Sequence, residues 1–133
     1  MSEQLLRLFF ALPCPDGLAA SIADWRSTLA VDGKPVKTSN LHVTLAFLGM
    51  QPHARLPQLQ QLAESIETPA FMLDLDQLNL WPNGLLHLAP SQPPEALLML
   101  AGQLRDKLSS IGIQLDQRNY LPHLTLARHA QLP

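Results

Sequence analysis

Two short stretches of the chain decide the predicted fold: His42-Val43-Thr44-Leu45-Ala46 and His123-Leu124-Thr125-Leu126-Ala127. Four of their five positions are identical. Both alternate in the way a strand does, in which successive side chains point to opposite faces. Each copy follows a strand and a stretch with the periodicity of an amphipathic helix. The repeat predicts two copies of one strand–helix unit, related by a pseudo-two-fold axis, in a single domain over residues 1–133.

Strand and helix signals continue outward from the repeat. Predicted strands cover residues 5–12, 40–48, 71–80, 85–89, 113–117 and 122–128. The third of these changes phase near residue 76, which predicts a bulge. Predicted helices cover residues 15–30 and 54–67, and a third begins at Pro93 and ends before Gly112. Residues 31–39 contain Gly and Pro and are expected to form a loop.

Composition excludes several classes of protein. Nine Lys and Arg against eleven Asp and Glu give a net charge of −2, which argues against a non-specific grip on long nucleic acid. Cys14 stands alone, so an internal disulfide is excluded and a reducing compartment is expected. The apolar run at 5–12 is interrupted by Arg7 and predicts a buried strand instead of a signal peptide. We therefore expect a cytoplasmic protein without a membrane span.

The alternation within the repeat also predicts where its polar side chains point. In the first copy, the apolar residues at odd positions 41–47 are expected to face helices, which leaves His42 and Thr44 on the opposite face. In the second copy, His123 and Thr125 share the face opposite the core. If the two strands lie across a groove, two imidazoles and two hydroxyls converge on one space.

Two imidazoles and two hydroxyls suit in-line phosphoryl transfer. A proton must leave one apex of the reacting phosphorus as another arrives at the opposite apex. Histidine can do either, because its unperturbed pKa of about 6.5 allows both protonation states near neutrality. Threonine hydroxyls can donate to the non-bridging oxygens without a metal ion. A strained 2′,3′-cyclic phosphate, which carries its own leaving group, fits such a site.

The two His-x-Thr-x motifs, at 42–45 and 123–126, resemble those of the two-histidine (2H) phosphoesterases. The flanking residues 7–11, 40–49 and 122–128 are similar to the bacterial branch, the RNA 2′,3′-cyclic phosphodiesterases historically called 2′-5′ RNA ligases. The resemblance implies an α+β, bilobal fold, with two antiparallel sheets facing a central groove and helices packed outside.

The resemblance also implies an activity and its participants. The family opens terminal 2′,3′-cyclic phosphates of RNA to a 2′-phosphate and a free 3′-hydroxyl, without a cofactor. By position in the motifs, His42 is the proton donor to the leaving 3′ oxygen and His123 the proton acceptor that activates water. The spacing alone leaves that order open. Members of this branch also join 2′-5′ linked RNA ends in vitro, so the expected partners are RNA ends and oligonucleotides.

Two departures from the family pattern carry expectations of their own. Relatives continue past the second motif with further strands, whereas this chain ends at Pro133. We therefore expect an incomplete second lobe whose exposed edge pairs with a second molecule, as a dimer or by strand exchange. Residues 81–84 read Trp-Pro-Asn-Gly where relatives often carry an arginine. Part of a phosphate or ribose contact is then missing.

Three further residues are candidates for substrate binding: Arg128, Trp81 and Phe9. Strict alternation places Arg128 on the face away from His123, so phosphate binding and an ordinary strand-end role both remain open. Trp81 and Phe9 either stack on a nucleobase or pack in the core. The remaining histidines are expected at the surface or in loops: His53, His87 and His129. The sequence has no cluster with metal-ligand spacing.

Three functions stay open at this stage. The first is the cyclic phosphodiesterase. The second is another phosphoesterase that uses the same site on a small cyclic nucleotide or on 2′-5′ linked oligonucleotides. The third is a non-catalytic module that binds RNA ends.

Overall fold

A computed structural model describes residues 4–115 and 120–131. Within these residues the chain forms six strands, three α-helices and two short 3-10 helices. In chain order the strands and α-helices are β1 (Leu5–Pro13), α1 (Asp16–Arg26), β2 (Asp32–Pro35), β3 (His42–Pro52), α2 (Leu56–Glu64), β4 (Gln77–Leu80), β5 (Leu86–Ala89), α3 (Glu95–Ser110) and β6 (Leu124–Gln131).

Hydrogen bonds order the strands as β1-β3-β6-β5-β4, and β2 also pairs with β6. The pairings of β6 with β2, β3 and β5, and of β4 with β5, are antiparallel. The predicted α+β class is confirmed. The resemblance implied two sheets, whereas hydrogen bonds connect these strands in one continuous order.

Contacts between Cα atoms divide the chain into two compact units. Unit 1 comprises Met1–Ala11, Thr44–Met72 and Pro93–Leu121. Unit 2 comprises Leu12–Val43, Leu73–Gln92 and Pro122–Pro133. The prediction that one lobe is incomplete at its C-terminus, and pairs with a second molecule there, stays a prediction.

The core of unit 2 is built from one face of its strands and one face of α1. Val43, Leu88 and Leu124 come from three neighbouring strands and are all buried. Ala19 and Ile22 of α1 pack against the same cluster. Burial of each large aliphatic side chain contributes about 1.5–3 kcal/mol, so this cluster fixes which strand face points inward.

The predicted third helix is found as α3, which buries a row of leucines in unit 1. Leu97, Leu104 and Leu108 of α3 are buried, at 0%, 2% and 0% exposure. The helix ends at Ser110, and Gly112 follows with φ +87°. A left-handed residue directly after a helix is the conformation in which glycine is favoured.

Three local predictions differ from the structure. Residues 32–35, expected in a loop, form β2 and pair with β6 as a short strand that carries Gly and Pro. Residues 71–76 alternate in polarity but are not a strand, and the carboxylate of Asp76 accepts hydrogen bonds from the N–H and hydroxyl of Ser91, at 2.7 and 2.6 Å. In the predicted strand at 113–117, residues 113–115 form no strand and 116–117 lie outside the described residues.

Candidate active site

The ring of His42, at the start of β3, is held by a hydrogen bond to the backbone carbonyl of Asn40. A single 3-10 turn, Thr38–Asn40, precedes the strand, and its last carbonyl oxygen lies 2.5 Å from Nδ1 of His42. A carbonyl oxygen only accepts hydrogen bonds, so Nδ1 carries the hydrogen and donates it. Nε2 is then the nitrogen whose protonation changes in acid–base chemistry.

The register between β3 and β6 brings the two histidines of the repeat together. Val43 pairs with Leu124, and both side chains are buried in the core of unit 2. Extending this antiparallel register by one residue places His42 opposite Thr125, with Cβ atoms about 4.5–5.5 Å apart. His123 is then the diagonal neighbour of His42, at about 7–8 Å. Because Val43 and Leu124 face the core, alternation assigns all three side chains to the opposite face.

His87 extends this row to β5 and was not recognised from the sequence. His87 pairs with Thr125, while its neighbour Leu88 pairs with Leu124 on the core face. It is nevertheless only 1% exposed. The expectation that His87 lies at the surface or in a loop is therefore wrong. One signal was available: a histidine between two core leucines, Leu86 and Leu88, must point to the face of Thr125.

Trp81 belongs to the same cluster. Its ring centroid lies 3.9 Å from that of His87 and 4.8 Å from that of His123, and the two imidazole centroids are 5.5 Å apart. The planes of His123 and its two neighbours meet at 67° and 73°, which is edge-to-face packing. Trp81 is half-buried, so it packs against the histidines and keeps part of its ring exposed.

A bulge in β6 determines the direction of Arg128. Leu86 pairs with Ala127 and His87 with Thr125, so Leu126 is an extra residue on the β6 side. Leu126 and Ala127 are both buried, at 0% and 6% exposure. The alternation of side chains between the two faces is therefore shifted by one residue after Leu126. As a result, Arg128 is assigned to the same face as Thr125. The prediction from strict alternation, which placed Arg128 on the face away from His123, is wrong.

The first copy of the repeat shows the same sequence of burial. Leu45 and Ala46 are both buried and Phe47 is 49% exposed, just as Arg128 follows two buried residues in the second copy. The prediction that Phe47 faces the core is therefore wrong. Its ring lies 4.8 Å from the guanidinium carbon of Arg7 in a cation–π contact.

Two predicted site residues, Thr44 and Phe9, belong to unit 1. Thr44 is half-buried, and its carbonyl oxygen accepts a hydrogen bond of 2.8 Å from the hydroxyl of Tyr120. Burial raises the pKa of Tyr120 to about 12. Phe9 is 45% exposed on β1, which does not fit the expectation of core packing.

The two remaining histidines, His53 and His129, are exposed, as expected. Burial raises the pKa of the half-buried Cys14 thiol.

Across residues 4–115 and 120–131, no three His, Cys, Asp or Glu side chains lie close enough together to hold a metal ion. In that same part of the chain, no helix is long and apolar enough to cross a membrane.

Paired His-x-Thr motifs on neighbouring antiparallel strands define a phosphoesterase class, and comparison with known proteins agrees. The profile of the 2′-5′ RNA ligase superfamily matches residues 14–133. The chain belongs to this superfamily.

Relatives within the superfamily narrow the comparison. The RNA 2′,3′-cyclic phosphodiesterase of Escherichia coli is 39% identical over 127 residues, covering 93% of this chain and 72% of that protein. The enzyme of the same description from Methanocaldococcus jannaschii is 29% identical, covering 92% and 71%. The crystal structure of E. coli LigT complexed with 3′-AMP aligns with a TM-score of 0.87 at 36% identity, covering 98% of this chain and 79% of that one.

Proposed function

We propose that this protein is an RNA 2′,3′-cyclic phosphodiesterase that uses His42 and His123 as an acid–base pair. The observation that carries the proposal is the pairing of Val43 in β3 with Leu124 in β6. If that register continues by one residue on each strand, His42 and His123 are diagonal neighbours, and residues so related lie about 7–8 Å apart, which leaves room for one phosphate group between the rings.

The reaction follows from the fixed tautomer of His42. Its Nδ1–H is bonded to the carbonyl of Asn40, so Nε2 carries the proton that is transferred. His123 accepts a proton from a water molecule as the water oxygen bonds to phosphorus. The bond from phosphorus to the 3′ oxygen breaks, and His42 protonates that oxygen. The products are a 2′-phosphomonoester and a 3′-hydroxyl, and each such proton transfer contributes about 10²–10⁴-fold to the rate.

The neighbouring side chains supply binding and charge compensation. The hydroxyl of Thr125, beside His42 and His87, donates to a non-bridging phosphate oxygen, and Thr44 does the same in the first motif. Arg128, turned to this face by the bulge, binds the phosphate through its planar guanidinium group. Trp81 and Phe9 stack on nucleobases, where a base–aromatic contact contributes about 1–3 kcal/mol.

The same site can run related reactions. If a 5′-hydroxyl replaces water as the nucleophile, the product is a 2′-5′ linkage, which is the chemistry named by the superfamily. Small cyclic nucleotides remain alternative substrates. The non-catalytic alternative is a module that binds RNA ends without turnover.

The test is hydrolysis of an oligonucleotide that ends in a 2′,3′-cyclic phosphate, in the presence of EDTA. We expect turnover to a 2′-phosphate. Binding without turnover would favour the non-catalytic alternative, and a 3′-phosphate product would exchange the roles of His42 and His123.

Alanine variants test the two histidines separately. His42→Ala and His123→Ala should each lower kcat by about 10²–10⁴-fold. Their melting temperatures should stay near that of the wild type, because both side chains lie off the core face. His53→Ala, an exposed histidine away from both motifs, is the matched control and should keep full activity. Substantial activity in either motif variant would remove that residue from the mechanism.

A further inference from the structure

We propose that His87 is a positioning residue for His123, acting with Trp81 as a rigid aromatic support for the catalytic imidazole. The inference rests on the proposed role of His123. His87 transfers no proton itself, and it lies outside both His-x-Thr-x motifs.

The support is anchored at one backbone atom. The carbonyl oxygen of Leu85 accepts a hydrogen bond from Nδ1–H of His87, at 3.0 Å, and another from the backbone N–H of Trp81, at 3.1 Å. A carbonyl oxygen has two lone pairs and can accept both. The two residues are thereby tied to one point on the turn between β4 and β5. The imidazole of His87 also has its tautomer set, with the hydrogen on Nδ1.

The rings of this pair enclose one side of His123. The centroids of Trp81 and His87 are 3.9 Å apart, and each packs edge-to-face with His123, at 4.8 and 5.5 Å. Edge-to-face contacts are directional, so two of them from different directions restrict ring rotation. His87 is 1% exposed and cannot swing away into solvent.

His123 lies just before the first residue of β6, which begins at Leu124. The ring contacts of Trp81 and His87 act on its side chain, which is the part of the residue that reacts. Displacement of a reacting group by 1 Å can cost about 10²-fold in rate, so a fixed ring has a direct effect on turnover.

The test compares His87→Ala with His87→Phe, which keeps an aromatic ring of similar size. Leu86→Ala is the control, since Leu86 is the neighbouring residue on β5, is 4% exposed and faces the core. We expect His87→Ala to lower kcat by about 10–100-fold with KM changed less than about twofold. His87→Phe, which restores the ring contact but not the hydrogen bond to Leu85, should recover part of the loss. Leu86→Ala should lower the melting temperature and leave kcat near the wild-type value.

A second measurement does not depend on turnover. In the wild-type protein, ¹⁵N-labelled His123 should give one set of side-chain NMR resonances from one ring orientation. In His87→Ala it should give averaged or doubled resonances, and in His87→Phe a single set again. An unchanged His123 spectrum in His87→Ala overturns the inference, as does an equal loss of kcat in Leu86→Ala. If the wild type does not turn over the cyclic phosphate, the proposed function fails, while the NMR comparison still decides the role of His87.

Discussion

Replacing Arg26 by methionine should destabilise the protein through the bulge that shapes the site. Arg26 is the last residue of α1, and its Nη1 donates to the carbonyl oxygens of Val36 and Leu126, at 2.7 and 3.0 Å. Leu126 is the extra residue of the β6 bulge. One guanidinium nitrogen therefore ties a helix to the segment after β2 and to the strand that carries the second motif.

The magnitude follows from the bonds that are lost. The carbonyl of Leu126 keeps a hydrogen bond from the N–H of Val36, at 2.9 Å, so it stays partnered. Two charge-assisted bonds disappear, each worth about 1.5–3 kcal/mol, and partial exposure places both at the low end. The loss is about 3 kcal/mol. With an unfolding entropy of about 2.1 cal/mol/K per residue, this corresponds to a melting temperature lower by about 11 °C.

Differential scanning calorimetry measures this effect, and methionine preserves the aliphatic part of the side chain. Arg7→Met is the matched control: Arg7 is exposed and contacts the ring of Phe47, so its loss should be at most about 1 kcal/mol. Because the bulge turns Arg128 toward Thr125, we also expect Arg26→Met to raise KM more than it lowers kcat. A melting temperature equal to that of Arg7→Met would refute the reasoning.

Two further predictions concern backbone and pH. Gly84 has φ +88°, and a Cβ at this position would lie 3.1 Å from Cα of His129 and 3.2 Å from the backbone nitrogen of Ala130. Gly84→Ala should therefore lower the free energy of unfolding by about 1–3 kcal/mol. Gly102→Ala, in the open middle of α3, should instead stabilise by about 0.5–1 kcal/mol, and equal effects would contradict the argument. Burial raises the pKa of Tyr120 from 10.0 in the unfolded chain to about 12, so the folded state retains the phenol proton longer. The stability that Tyr120 contributes is complete below about pH 10 and is lost as the pH rises toward 12. Tyr120→Phe should therefore show a flatter dependence of the urea midpoint over that range, and curves that stay parallel for both proteins would exclude this role.

The residues of the repeat were predictable because strand periodicity constrains them. One buried apolar residue between His42 and Thr44, and one between His123 and Thr125, fixes which side chains share a face. The prediction for the second pair required no knowledge of the tertiary structure. It depended only on which side of the strand was apolar.

Prediction failed where a bulge interrupts that period. A bulge is a property of two paired strands, and the β6 bulge is defined only by its register with β5. Strict alternation along a single strand puts Arg128 on the face opposite Thr125, and Phe47 on the face opposite Thr44. Both residues were therefore assigned to the wrong face, and in each copy two buried residues in succession precede the misassigned residue.

His87 was missed because hydropathy places histidine outside a core. Its burial depends on Trp81, six residues earlier, returning across the turn to cover it. The two residues meet because Trp81 and His87 share the carbonyl of Leu85, which is a tertiary arrangement that periodicity does not encode.

The bulge connects these observations physically. Two buried residues in succession, Leu126 and Ala127, move the strand's polar face by one position immediately after the motif. The cation at the following residue, Arg128, is thereby placed on the face of Thr125 without any change in the motif itself. The first copy has the same two buried positions, followed by Phe47 in place of Arg128. The two copies of the repeat therefore share a burial pattern and differ at one position, which is a cation in one and an aromatic ring in the other.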